Sequence, residues 1–147
     1  MNVKIIETNK KDFLDLLLLA DEQEDMIDKY LERGMLFALY DDDLKSICVV
    51  TDEGEGNFEI QNLATYEQYQ KKGYGRSLIN HVCDYCRGKG QIMYVGTGDV
   101  PSALRFYEKS GFVVSHRLAD YFIKHYAKPM FEDGIQLKDK VYLKRSL

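Results

Sequence analysis

The chain has 147 residues, of which 45% are hydrophobic and 30% charged, and it carries a formal charge of −4. That length buries a sizeable core without disulfide staples, and those proportions exclude a disordered tail or a low-complexity tract. The negative balance excludes a general nucleic-acid binder, which needs a basic face against phosphate, and an apolar run such as Leu16 to Ala20 is too short to span a bilayer. Three cysteines, an odd number, do not read as a disulfide framework, so reduced thiols are expected. The expectation is one domain over residues 1–147, located in the cytoplasm, with no membrane or nucleic-acid partner.

Val3-Lys4-Ile5-Ile6 reads as a first strand, and Thr8 or Asn9 as the cap of a helix carrying Phe13, Leu14, Leu16, Leu17 and Leu18. Asp21, followed by Glu24, starts a second helix with the apolar stripe Met26, Ile27, Tyr30 and Leu31, and Gly34 ends it. Met35 to Tyr40 and Leu44 to Thr51 are antiparallel strands joined through Asp41-Asp42-Asp43, and the next turn is Asp52 to Gly56. From Asn57 to Thr65, Phe58 and Ile60 set an alternation that Leu63 breaks by one position. A β-bulge produces such a slip and splays the strand from its neighbour; the competing reading is that Asn62 marks the strand end.

Thr65 to Arg76 then leads from this strand into a helix. Gly73 and Gly75, at alternate positions, admit φ > 0 and turn N–H groups toward one point. The first turn of the helix adds unpaired N–H groups and a positive dipole end, and Lys71, Lys72 and Arg76 add charge. The stretch reads as a cradle for a diphosphate, or as glycine punctuation before an amphipathic helix. Leu78, Ile79, Val82, Cys83 and Cys86 recur at helical spacing to about Arg87, with Gly88 and Gly90 closing the helix and His81 on its surface. Cys83 and Cys86 lack the second ligand pair a zinc site needs and read as core, so no metal is expected.

Gln91 to Thr97 is the next strand, ended flexibly by Gly96-Thr97-Gly98. Pro101 opens a helix packed through Ala103, Leu104, Phe106 and Tyr107, and Ser110-Gly111 ends it before Phe112-Val113-Val114. Tyr121 to Asp133 reads either as a plain loop or as a wall over a site, with Tyr121, His125, Tyr126 and Glu132 as its contacts; Pro129 excludes a central strand there. Ile135 to Leu143 is a final alternating strand, placed at the chain end where it can pair across a dimer.

Leu63-Ala64-Thr65, then Glu67, Tyr69 and Gln70, then Gly73-Tyr74-Gly75, resembles the coenzyme A loop of the GNAT superfamily of N-acyltransferases, whose pattern is Q/R-x-x-G-x-G/A after a strand. Ala103 to Phe112 resembles that family's later helix and turn, and the likeness reaches from the first strand to about Phe112. The resemblance implies an α/β fold with a mixed, mostly antiparallel sheet of about six to seven strands splayed in a V, flanked by about four helices. It implies an enzyme that moves an acetyl group from acetyl-CoA to a primary amine, of a small molecule or a peptide, by direct attack. Such transfer needs a neutral amine, a stabilised carbonyl oxygen and a proton for the departing thiolate.

On this resemblance Tyr107 is the thiolate's proton donor. Leu63, Ala64 and Thr65 meet the pantetheine arm, with the acyl carbonyl near the N–H of Leu63 or Ala64. Gln70, Lys71, Lys72, Gly73, Tyr74, Gly75 and Arg76 surround the diphosphate. Glu59, on the face of Gln61, is the carboxylate placed to take the amine's proton, directly or through water. Two departures from the pattern leave the cofactor assignment intact and put the acceptor chemistry in question. The strand before the tyrosine's helix offers Gln91, Met93, Val95 and Thr97 where some members place a glutamate, and Val100 stands where many have an asparagine, with Asp99 or Ser102 as substitutes. The acidic residues Glu22, Glu24, Asp25 and Asp28 read either as attraction for a cationic substrate or as a solvated face. Cys48, Cys83 and Cys86 have no activating partner and are not nucleophiles. The departures motivate a second reading, an acyl-CoA-binding sensor without catalysis, and a zinc or redox protein on Cys83 and Cys86 stands third. Monomer and homodimer both stay open.

Overall fold

The computed structural model describes residues 1–147. The chain runs through β1 (Asn2–Ile6), a 3-10 turn at Lys10–Phe13, α1 (Leu14–Ala20), α2 (Glu24–Ile27), β2 (Met35–Asp41), β3 (Asp43–Gly54) and β4 (Asn57–Thr65). A 3-10 turn at Glu67–Tyr69 leads to α3 (Tyr74–Cys86), β5 (Ile92–Gly98), α4 (Pro101–Lys109), β6 (Val113–Leu118) and α5 (Tyr121–His125). A small hairpin, β7 (Phe131–Glu132) and β8 (Ile135–Gln136), precedes β9 (Lys140–Ser146). Seven strands form one mixed sheet in the order β1-β2-β3-β4-β5-β9-β6, with β4 and β5 its parallel pair.

The central strands are apolar on both faces because helices cover both. Phe37, Leu39, Cys48 and Val50 pack with the α3 stripe of Leu78, Ile79, Val82, Cys83 and Cys86, whereas Leu36, Ala38, Ile47 and Val49 pack with Leu16, Leu17, Ile27 and Leu31. Burying each of the Leu, Ile, Val and Phe side chains among them contributes about 1.5–3 kcal/mol, so these two faces carry the fold.

The phase slip read from Leu63 is a bulge. Val49 pairs with Asn62 and Val50 with Ile60, leaving Gln61 as the extra residue. Ile60 and Leu63 therefore both pack toward the α3 side, while Asn62 and Ala64 turn toward α1. β4 and β5 pair only from Asn57 with Ile92 to Ile60 with Val95. Beyond those residues the two strands part, which is the predicted V.

Several local expectations change. The second helix is a single turn beginning at Glu24, and Asp21 is extended instead, with φ −139°. Gly34 serves packing, since a Cβ there would lie 2.7 Å from Val49 Cγ1 and 2.9 Å from the Tyr30 carbonyl oxygen. The carbonyls of Leu31, Glu32 and Gly34 instead accept from the ammonium of buried Lys10, at 3.1, 3.1 and 2.7 Å. Asn9 takes the cap position with φ 55° but caps nothing with its side chain. Gly96 and Gly98 do not loosen the end of β5: Lys140 and Leu137 lie where their side chains would be. The expected strand from Ile135 to Leu143 breaks before Lys140, and β9 inserts between β5 and β6 with Val141 and Leu143 buried. β9 is thus interior and cannot pair across a dimer; the edge on its side of the sheet is β6, exposed throughout, and β1 is the other edge. No helix is long and apolar enough to cross a membrane.

Candidate active site

Gly73 caps α3 with φ 90°, and Lys71 two residues earlier is also left-handed at φ 62°. Gly75 corrects the expectation of φ > 0 at both glycines. It lies in the first turn of α3, where a Cβ would come 3.3 Å from Phe106 Cζ, so it is glycine to let α4 approach. The N–H groups of Lys71, Lys72, Gly73, Tyr74, Gly75 and Arg76 donate to nothing within the protein, which leaves six consecutive donors beside the positive end of a 13-residue helix. The loop is braced from outside. Gln70 Nε2 donates to the Thr65 carbonyl at 3.1 Å, Tyr74 Oη to Asp41 at 2.7 Å and Tyr69 Oη to Asp43 at 3.1 Å, while Lys45 Nζ sits 3.6 Å from the Tyr69 ring centre. Lys71 and Arg76 line the adjoining cleft; Lys72 leans toward the Tyr69 ring and does not.

A cleft of about 900 Å³ runs from Lys71, Gly73, Gly75 and Arg76 past Thr65, Leu63 and Gly96 to Tyr107 and Glu59, and on to Asp21, Tyr30 and Tyr126. Its middle is the gap where β4 and β5 part. Ala64 is buried toward α1, so only its backbone is available to the gap. Thr65 shares a 2.9 Å hydrogen bond with Ser46. Ser102 is on the cleft wall, but its hydroxyl donates to Asp133, and Asp99 accepts from Arg117 at 2.9 Å. Both stand-ins for the missing asparagine are therefore engaged within the protein, and Val100 itself is buried.

Tyr107 packs its ring edge-on against Phe106 and Phe112, at 5.1 and 5.8 Å between centres. Its hydroxyl bonds to no protein group and is not among the sealed polar atoms, so it opens to the cleft. Burial raises its pKa, which keeps the phenol protonated at neutral pH. Glu59 is half-buried, and burial lifts its carboxyl above the ordinary range despite the opposing pull of Lys140. Tyr142 Oη donates to Glu59 Oε2 at 3.4 Å. Gln61 Nε2 donates to Thr51 Oγ1 at 3.1 Å, and Thr51 pairs with Glu59, so Glu59 and Gln61 share a face as expected.

The far end holds residues the sequence reading missed. Asp21, 8% exposed, accepts from Tyr30 Oη at 3.0 Å and from Tyr126 Oη at 2.7 Å. Asn62 Nδ2 donates to the Leu17 carbonyl at 3.0 Å and to Tyr30 Oη at 3.1 Å. With the Ala127 N–H donating to Gln23 Oε1 at 3.0 Å, these bonds fasten the segment after α5 to the α1–α2 connection. The Tyr121 to Asp133 stretch is thereby a wall: Tyr121, Tyr126 and Glu132 line the cleft, and His125 packs behind Tyr121 instead. Glu22, Glu24, Asp25 and Asp28 do not line it, and Glu24 and Asp28 pair with Lys11 at 2.5 and 2.7 Å. Cys48, Cys83 and Cys86 are buried in the α3 core, with thiols raised by burial, that of Cys86 to about 11, which denies them thiolate character.

This arrangement has close relatives. The acetyltransferase (GNAT) family profile matches residues 4–112. An uncharacterized N-acetyltransferase of Bacillus subtilis (strain 168), YvbK, is 34% identical over 146 residues, which is 97% of this chain and 94% of that protein. The crystal structure of a Bacillus subtilis acetyltransferase in complex with CoA superposes with a TM-score of 0.90 at 34% identity, covering 99% of this chain and 98% of that one. A GNAT family acetyltransferase from Elizabethkingia anophelis with acetyl-CoA bound gives 0.93 at 29% identity, covering 99% and 97%. With the splayed strands, the free amides and the phenol all in place, the chain belongs to the GNAT family of acetyltransferases.

Proposed function

We propose that this chain is an N-acetyltransferase that moves the acetyl group of acetyl-CoA to a primary amine by direct attack. The observation that carries the reading is the one cleft that joins the free amides of Lys71, Gly73, Tyr74, Gly75 and Arg76 to the Tyr107 hydroxyl and the Glu59 carboxylate. The amides from Lys71 to Arg76 hold the diphosphate, with Lys71 and Arg76 adding charge and Gln70 keeping the loop in shape. The pantetheine arm enters where β4 and β5 part and takes up backbone groups of Leu63, Ala64 and Thr65. The N–H of Leu63 or Ala64 polarises the acetyl carbonyl.

Glu59, directly or through one water, takes a proton from the amine, whose nitrogen then attacks the carbonyl carbon. The C–S bond breaks and the sulfur takes the proton of Tyr107, which is refilled from the open cleft. A raised pKa suits both groups: it keeps Tyr107 a donor, and it brings Glu59 closer to the pKa of an effective base at neutral pH. Most of the rate comes from holding amine and thioester together. We read residues 1–147 as one domain, a monomer or homodimer acting in the cytoplasm, a reading supported by one sheet shared by both core faces and by three unpaired cysteines.

Thiol release from acetyl-CoA, measured over a broad amine panel, tests this reading. Acceptor-dependent release is the expected result. Tight acetyl-CoA binding with no acceptor-dependent release would make the chain a sensor instead.

A further inference from the structure

We infer that the acceptor is a free amino acid, its ammonium received by Glu59 and its own carboxylate by Lys140. This deepens the acetyl-transfer reading and rests on it. Lys140 opens β9 and reaches back over Gly96, where a Cβ would lie 2.2 Å from its Cε; only glycine leaves that path. Gly96 is also the first residue of β5 beyond its last pair with β4, so the ammonium lies at the mouth of the gap through which the acetyl group arrives. Lys140 Nζ sits 4.5 Å from the Tyr121 ring centre and 5.0 Å from that of Tyr142. It lines the cleft, yet it makes no hydrogen bond and no ion pair.

Glu59 is its neighbour across Tyr142, whose hydroxyl makes Glu59's one long hydrogen bond. The two opposite charges therefore stand on the same tyrosine without pairing with each other. The other charged groups around the cleft do not supply the missing partner. Asp21 is occupied by two phenols, Arg33 pairs with Glu53 at 2.8 Å, Lys29 is a second cation, and Glu132 makes no ion pair. A half-buried ammonium that faces aromatic rings and lacks an acceptor has lost solvation that the two ring faces and the carboxylates of Glu59 and Asp21 restore only in part. Burial lowers the pKa of Lys140 accordingly, and Glu59 and Asp21 act the other way. A carboxylate delivered by the ligand restores the loss, and an ammonium beside that carboxylate meets Glu59. A plain amine would satisfy Glu59 but bring its charge against Lys140, and the amino end of a peptide lacks the adjacent carboxylate.

The test compares kcat/KM, read as thiol release, for the protein amino acids against their decarboxylated amines and their carboxamides. Acetyl-CoA binding is titrated in parallel, and Lys140→Met and Lys140→Arg are run beside the unaltered chain. The unaltered chain is expected to favour at least one amino acid over its amine and its amide by about tenfold or more, the loss expected when a charged partner is removed. Lys140→Met brings that ratio close to one, and Lys140→Arg keeps part of it. Equal or better use of the amines or amides by the unaltered chain overturns the inference and needs no variant to be seen; so does a ratio unmoved by Lys140→Met. Either result leaves acetyl transfer standing. Bound acetyl-CoA with no acetylated product in any class removes the transfer reading and this inference with it.

Discussion

The cleft offers backbone at one end and side chains at the other. From Lys71 to Arg76 the groups on display are N–H donors held in place by a left-handed pair and a helix start, and the polar ends of Tyr69, Gln70 and Tyr74 are taken up by Asp43, the Thr65 carbonyl and Asp41. Around the proposed acceptor site the cleft is lined by Asp21, Tyr30, Glu59, Tyr126 and Lys140, which reach it from separate stretches of chain. A backbone cradle depends on conformation and survives most side-chain exchanges. A side-chain chamber changes with each residue, so acceptor choice varies on a fixed donor site.

That contrast predicts variants that separate the two ends. Tyr107→Phe, at their junction, has the largest expected effect: kcat falls about a hundredfold or more, as loss of a general acid does, while acetyl-CoA affinity measured by titration stays within about twofold. Gly75→Val breaks the donor end alone. Its side chain meets Phe106 and enters the cleft, so the acetyl-CoA Kd rises about tenfold or more, roughly 1.4 kcal/mol, with a smaller change in kcat at saturation. Tyr126→Phe breaks the acceptor end alone. Losing its bond to Asp21 unfastens the wall, so acceptor KM rises about threefold and stability drops by about 1 kcal/mol, with acetyl-CoA affinity unaltered.

Glu59 adds a pH signature. Its raised pKa means that kcat/KM climbs with pH through a limb above the ordinary carboxylate range, because only the ionised group accepts the proton. Glu59→Gln abolishes that limb. The same shift has a consequence for stability. A carboxyl raised in the folded state contributes stability at low pH that is lost as pH rises through its folded pKa, so Glu59→Gln raises Tm at neutral pH. An unmoved profile in this variant would take Glu59 out of proton transfer.

The donor end was legible in the sequence because its signals are local. The phase slip at Leu63 marked the bulge, and the spacing of Gly73 and Gly75 marked the cradle, although only Gly73 is left-handed and Gly75 answers to Phe106, 31 positions on. Lys71 as a left-handed non-glycine gave no sign of itself. The acceptor end was legible only as a polar aromatic stretch. Nothing in periodicity joins Asp21 to Tyr126, 105 residues apart, or brings Lys140 over Gly96, because those meetings follow from β9 inserting between β5 and β6. Reading β9 as a terminal edge strand hid that placement. The acidic residues near α2 misled for the opposite reason: they are conspicuous in sequence, but Lys11 holds two of them on the outside.

The proposed grip of backbone amides on the donor's diphosphate is open to amide NMR, which observes those amides directly. On titration with coenzyme A, the N–H resonances of Lys71, Lys72, Gly73, Tyr74, Gly75 and Arg76 are expected to shift together and more than those of α5. Saturable binding that leaves these six unmoved would place the diphosphate elsewhere and contradict the account.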